Sequence, residues 1–192
     1  AISNWGTNSL DTTYAIDYGD SSPIITLSQN QLISSVYYNS SNPSISLNYP
    51  IPHVYSTTSC PTGTFTATLT VTNACSSTPF TTSNISILTK PTPNFTYPPE
   101  ACVNTSVLFT NTTASGFGQN CAQNAIYTWD FGDGSPIVTT PLSPAQNITH
   151  TYTKIGTYTV TLTTQNFCGK SSITKQICIE PAVVPVFTLS TN

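Results

Sequence analysis

The nine residues Tyr127-Thr128-Trp129-Asp130-Phe131-Gly132-Asp133-Gly134-Ser135 constrain this chain more than any other stretch. In an extended backbone Tyr127, Trp129 and Phe131 fall on one side, so one face of a strand carries three rings. Gly132-Asp133-Gly134 then supplies the backbone freedom for a tight reversal. A weaker copy stands at Tyr14-Ala15-Ile16-Asp17-Tyr18-Gly19-Asp20-Ser21-Ser22. Two copies of a strand-plus-turn unit within 192 residues predict a domain that occurs twice.

The remaining landmarks repeat in the same order. His53-Val54-Tyr55 answers His150-Thr151-Tyr152, and Gly63 answers Gly156. Thr64-Phe65-Thr66-Ala67-Thr68-Leu69-Thr70-Val71 has the alternation of Thr157-Tyr158-Thr159-Val160-Thr161-Leu162-Thr163, with Cys75 and Cys168 beyond them. This period of two predicts strands, with Phe65, Ala67, Leu69 and Val71 on a core face and the threonines on the other. His53-Val54-Tyr55 is expected to open the clearest strand of the first half, and Ile85-Ser86-Ile87-Leu88 to close it. Residues 24 to 52 read as short strands or ordered loops. Pro91-Thr92-Pro93 reads as the boundary, since proline stiffens linkers and avoids central strands. Residues 1–90 then form a first domain that lacks room for the strands residues 94 to 110 give the second. Residues 91–181 form the second, and 182–192 a linker whose Val186-Phe187-Thr188-Leu189 mirrors Asn94-Phe95-Thr96-Tyr97. The chain reads as part of a longer tandem array.

Composition narrows the class. Only 6% of residues are charged and 38% are hydrophobic, many of them β-branched or aromatic, which suits a folded all-β protein. A net charge of −3 without a basic cluster argues against nucleic-acid binding. No apolar run reaches the roughly 20 residues that a membrane helix needs. Six cysteines without a C-x-x-C pair favour disulfides and an oxidising compartment over a zinc site.

W-D-F-G-D-G-S, then H-T-Y, then G-T-Y-T-V-T-L, resembles the PKD (polycystic kidney disease) domain. The resemblance covers residues 94 to 180 closely and 1 to 90 more loosely, where I-D-Y-G-D-S-S, H-V-Y and G-T-F-T-A-T-L stand. It implies tandem immunoglobulin-like β-sandwiches, with Trp129, Asp130, Phe131, Gly132, Asp133, Gly134, His150, Tyr152 and Gly156 as structural motif residues. The Asn-, Thr- and Ser-rich style is similar to PKD arrays in large Bacteroidota surface adhesins, including those of gliding bacteria and substrates of type IX secretion. Sandwich topology then ranks the cysteine pairings: Cys121–Cys168 first, Cys102–Cys178 next. Cys60 and Cys75 are left over, flanking a strand too long for a bond between them, so unless the loop at 56 to 62 folds back one or both are expected to pair outside this stretch of chain.

Four of the seven acidic residues, Asp17, Asp20, Asp130 and Asp133, lie in the two matching turns. They could hold calcium, the one cofactor the sequence suggests, but two carboxylates per turn are few for six to eight oxygen ligands. Hydrogen bonds to turn amides are the favoured role. His53 and His150 have no nucleophile spaced beside them, so no enzyme is expected. Trp5, Tyr18, Tyr37, Tyr38, Tyr49 and Phe117 are candidates for a sugar-stacking platform, with core packing favoured for each. Sequons at Asn39, Asn84, Asn94, Asn104, Asn111 and Asn147, and a bacterial O-glycosylation-like Asp11-Thr12-Thr13, mark surface loops. The expected function is a non-catalytic structural and adhesive segment of an extracellular, cell-surface protein. Its expected partners are neighbouring repeats and surface polysaccharide or protein. The alternatives are an accessory glycan- or protein-binding module of a secreted hydrolase and a eukaryotic ectodomain repeat.

Overall fold

The computed structural model describes residues 5–43, 48–143 and 145–183. The chain divides into two compact units between Ile87 and Leu88. Each is described by itself.

The second unit is a sandwich of two sheets. One sheet has the order β10-β7-β5, from Ile148–Thr151, Ser106–Asn111 and Phe95–Thr96. The other has the order β6-β12-β11-β8-β9, from Glu100–Cys102, Gly169–Glu180, Gly156–Asn166, Ala125–Asp130 and Val138–Ser143. Alternation along each strand decides what meets between them. Phe95, Val107 and Phe109 descend from the smaller sheet onto Tyr127, Trp129, Val160, Leu162, Ile177 and Ile179 of the larger, and all nine are buried. Trp129 is fully buried, with the Phe95 ring 5.1 Å and the Phe109 ring 6.0 Å from its own. Burying such rings is the main stabilising term, about 25 cal/mol per Å² of apolar surface removed from water. Pro91 and Pro93 are buried as well, and Thr92 exchanges backbone hydrogen bonds with Ala114. The stretch expected to be a linker is therefore an edge of this unit.

Among the described residues, the first unit has one four-stranded sheet, β2-β1-β3-β4, from Ile25–Ser28, Thr13–Asp17, Phe65–Thr72 and Ser77–Ile85. Its central register follows that of the larger sheet. Ile16 lies opposite Leu69 as Trp129 lies opposite Leu162, and Tyr14 opposite Val71 as Tyr127 opposite Thr164. The core differs: Trp5, Tyr14, Ile16 and Leu32 are buried together. Leu32 comes from helix α1 (Gln29–Ile33), whose Ser28 and Gln31 form a capping box. The Tyr14 hydroxyl donates to Gln29 Oε1 at 2.7 Å, and Gln29 Nε2 donates to the Trp5 carbonyl at 2.8 Å. This network satisfies polar groups that burial would otherwise penalise.

Three sequence expectations are corrected. Residues 29–33 are helical where strand or loop was expected. β4 begins at Ser77 rather than Ile85, because the Asn73 side chain caps a tight turn by accepting from the amides of Cys75 and Ser76. His53-Val54-Tyr55 is not in a strand, although His150 and Thr151 are. In the second unit that segment pairs with β7, and among the described residues the first unit supplies no such partner. Ile45-Ser46-Leu47 and Val186-Phe187-Thr188-Leu189 lie outside the described residues.

Candidate functional site

β8 delivers Asp130 to the end of the larger sheet, and the next turn is set by two carboxylates. Asp130 Oδ1 accepts from the Gly132 amide at 2.9 Å, and Asp133 Oδ1 from the Ser135 amide at 3.1 Å. These side-chain-to-backbone bonds are the Asx turns that Asp favours. The other Asp133 oxygen, Oδ2, lies 2.8 Å from His150 Nε2. The imidazole stacks on Phe131 with centroids 4.0 Å apart and planes 3° apart, and meets Tyr152 edge-on at 4.6 Å. Tyr152 returns to the turn by donating its hydroxyl to the Phe131 carbonyl at 3.2 Å. The five groups form a closed lock joining the end of β8 to β10, one from each sheet.

The first unit contains the same lock. Asp17 Oδ1 accepts from the Gly19 amide at 2.8 Å, and Asp20 Oδ1 from the Ser22 amide at 3.1 Å. Asp20 Oδ2 lies 2.8 Å from His53 Nε2. Tyr18 takes the place of Phe131 beneath the imidazole, at 3.8 Å and 7°. Tyr55 meets His53 edge-on at 4.6 Å, and its hydroxyl donates to the Tyr18 carbonyl at 3.4 Å. The motif readable as W-D-F-G-D-G-S thus works as Asp, ring, Asp and distant His together, and the tryptophan belongs to the core instead.

Electrostatics agree with the geometry. Burial alone would raise Asp133, but the Ser135 hydroxyl, His150 and the Ser135 amide outweigh it and hold the carboxyl below the usual range. Asp20 is held at about 2, first by the Ser22 hydroxyl and then by His53 and the Ser22 amide, against an opposing desolvation. The Ser22 and Ser135 hydroxyls lie outside regular hydrogen-bond geometry, so they act as neighbouring dipoles. Burial pushes the Tyr152 phenol well up, keeping it a neutral donor. Among the described residues no group of three or more His, Cys, Asp and Glu is arranged to hold a metal ion. Nor, among the described residues, does a nucleophile share a hydrogen bond with either imidazole, whose partners are Asp20 and Asp133.

The stacking candidates are dispersed. Trp5 is buried beside Tyr38, Tyr18 lies beneath His53, and Tyr37 meets Tyr49 at 75° rather than coplanar. The backbone of Phe117 bridges to Thr89.

Neither expected cysteine pairing is present. Cys60 and Cys121 are disulfide-bonded, while Cys75, Cys102, Cys168 and Cys178 are free thiols. β6 and β12 run parallel with Cys178 opposite Glu100 and Cys102 opposite Glu180. The two thiols are therefore two residues out of step, a diagonal of about 8 Å between Cα atoms, beyond the roughly 7 Å a disulfide spans. Cys168 turns its sulfur toward the Phe117 carbonyl at 3.7 Å.

Two packed antiparallel-rich sheets closed over an aromatic core define an immunoglobulin-like β-sandwich module. More particularly, residues 88–180 match the family model described as PKD domain. Human polycystin-1 is 56% identical over 41 residues, which is 21% of this chain and 1% of that protein. The chain thus spans about 1% of the length of that curated relative. Among solved structures, the PKD1 domain of Vibrio anguillarum Epp is 24% identical, covering 50% of this chain and 100% of that one, with a TM-score of 0.38. The PKD domain of human SorCS2 is 21% identical over 52% of this chain and 81% of that one, with a TM-score of 0.40. PKD domains are structural and binding modules of extracellular proteins and are generally non-catalytic. Among the described residues no helix is long and apolar enough to cross a membrane.

Proposed function

We propose that the chain is a tandem of PKD-type modules serving as a structural and adhesive segment of a large secreted or cell-surface protein. The observation that carries this reading is the Asp–His–aromatic lock, built twice with the same partners and both His–Asp distances at 2.8 Å. A catalytic group is seldom built twice into one chain without a nucleophile beside it, whereas a module's internal clamp recurs with the module. Threonine-rich strand faces and a near absence of charge give a neutral hydrated exterior suited to reach rather than to capture of one charged ligand. In residue style the chain is like PKD arrays of Bacteroidota adhesins, and neighbouring repeats are its natural partners. The carboxylates of Asp17, Asp20, Asp130 and Asp133 serve the turns, with calcium unnecessary.

Pulling the reduced chain between handles in a single-molecule force experiment tests the module reading. Two unfolding events, each releasing on the order of 30 nm for roughly 90 residues, are expected. One event for the whole chain would overturn it. Adhesion is tested by coating beads with the chain: retention on polysaccharide- or protein-coated surfaces no better than that of uncoated beads would remove the adhesive half.

A further inference from the structure

Among the described residues the first unit leaves one apolar face open. A groove of about 380 Å³ is bounded by Ile16 of β1, Ala67 and Leu69 of β3, Phe80 of β4, and Ile51 and Tyr55 of the segment beside them. Phe80 is 60% exposed, and Ala67, Leu69 and Val71 are only half-buried. Their counterparts in the second unit, Val160, Leu162 and Thr164, are fully buried. What covers that second face is on view. Phe109 of β7 stands over Trp129 and Phe131, at 6.0 and 5.3 Å, the places that Ile16 and Tyr18 hold in the first unit. β7 is held there by its ladder with β10, with Val107 opposite His150 and Phe109 opposite Ile148.

We propose that this face of the first unit is an acceptor for one extended peptide strand of the Val-x-Phe type. The strand adds antiparallel to Ile51–Val54, with its small apolar residue opposite His53 and its aromatic residue opposite Ile51. The ring then lies in the groove over Ile16 and Tyr18. The proposal rests on the reading that the two units share one plan, since the shared lock is what equates His53 with His150 and Ile51 with Ile148.

Three observations support this occupant over others. The acceptor segment is already in place: His53 is fixed by Asp20 and Tyr18, the Tyr55 hydroxyl donates to the Tyr18 carbonyl, and Val54 is 85% exposed. No charged residue lines the groove, so inward positions of the occupant must be neutral and apolar. Strand addition supplies backbone bonds for affinity and alternate side-chain pockets for specificity, which is what this edge and groove offer. Pro52 removes one donor from the edge, which discourages indiscriminate pairing and keeps the interaction reversible.

The test titrates the full chain, isotopically labelled, with the peptide Thr105–Asn111 (TSVLFTN) and with its Phe109→Ser form. Saturable NMR shifts confined to Ile16, Ile51, Val54, Leu69 and Phe80 are expected, with at least a tenfold loss of affinity for the serine peptide. Phe80→Ser, at a position 60% exposed, should weaken binding of the wild-type peptide similarly. Absent or unsaturable shifts, equal binding of the two peptides, or shifts elsewhere would overturn the proposal. So would a concentration-dependent dimer in sedimentation that Phe80→Ser abolishes, because the occupant would then be a second copy. The underlying reading is checked apart, by melting His53→Ala and His150→Ala. If each lowers the stability of its own unit, the shared plan stands and a failed titration counts against the acceptor alone. If His53→Ala changes nothing, the shared plan itself falls.

Discussion

Gly132 and Gly134 sit two residues apart in one turn, both with positive φ, 76° and 80°, yet they predict different costs on substitution. A Cβ on Gly134 would meet nothing within 4 Å, whereas a Cβ on Gly132 would lie 2.4 Å from the Thr159 carbonyl oxygen. That oxygen belongs to β11, the strand between β8 and β12, so it cannot move without disturbing both ladders. Forcing alanine into a left-handed conformation costs roughly 1–2 kcal/mol. Alanine returns about 0.4–1 kcal/mol by restricting the unfolded chain. Gly134→Ala should therefore cost about 1 kcal/mol or less. Gly132→Ala adds an overpacking cost of roughly 1–3 kcal/mol and should total about 2–4 kcal/mol.

The first unit has already made half of this experiment. Ser21 stands where Gly134 stands and adopts a φ of 67°, while Gly19 keeps the glycine with its Cβ position 2.3 Å from the Thr66 carbonyl oxygen. The assay is urea and thermal unfolding followed by Trp129 fluorescence in a Trp5→Phe background, so that the second unit alone is read. One kcal/mol moves Tm by roughly 4–8 °C in a domain of this size. Gly134→Ala should shift Tm by roughly 8 °C or less and Gly132→Ala by roughly 8–32 °C. Equal shifts for the two, within the error of the m-values, would refute the claim that the β11 carbonyl is what requires glycine.

Acid should loosen the locks from one side. A carboxyl whose folded pKa is depressed contributes stability above its ordinary pKa of 3.8, and that contribution fades as pH falls toward the folded value, about 2 for Asp20. The stability of the first unit should thus fall between about pH 4 and 2, and Asp20→Asn should flatten that slope; an unchanged slope would count against the lock. Thr164 is fully buried with an unpartnered hydroxyl, and the first unit places Val71 at the corresponding register position. Thr164→Val should raise the stability of the second unit by about 1 kcal/mol in chemical denaturation. Alkylation of the unfolded, unreduced chain should add four groups by intact mass, rising to six after reduction. In the folded chain the exposed Cys75 and Cys102 should react ahead of Cys168 and Cys178. Melting in EDTA and in millimolar calcium should coincide, and a calcium-dependent rise would show the turn carboxylates acting as ligands.

The parts of the fold legible in the sequence are those where a local pattern and a long-range contact ask for the same residue. Trp129 satisfies the period of two and also fills the sandwich, so β8 could be read directly. The strands at Phe65–Thr72 and Gly156–Asn166 were visible through threonine alternation for the same reason. The capping box at Ser28 and Gln31 was a readable signal for α1, but five residues of helix carry no period to confirm it. His53-Val54-Tyr55 misled because its letters match β10 while strand formation also needs a partner, and the partner's presence is not written in those letters. The cysteines failed for a similar reason. A loop position near the right end of a sandwich does not fix where a sulfur points, and a two-residue offset between parallel strands suffices to keep Cys102 and Cys178 apart. Pairing of the four carboxylates with turn amides was anticipated from Asp chemistry, whereas the His–Asp bond spans 17 and 33 residues and has no local signature.

The first unit's His53-Val54-Tyr55 separates two contributions that the second unit merges. There, β10 is held both by its ladder to β7 and by the lock to β8. In the first unit the corresponding ladder is missing among the described residues, yet His53 keeps the same 2.8 Å bond and near-parallel stacking, and Tyr55 the same edge-on contact. The lock, the Tyr18 hydroxyl bond to the Ile51 carbonyl and the stacking of Tyr55 on Phe65 together hold this segment against the first unit's sheet, with no ladder among the described residues. It follows that the lock does not depend on the sandwich being closed. It presents an ordered edge before any strand adds to it, so an incoming strand meets a segment whose conformational entropy has already been lost.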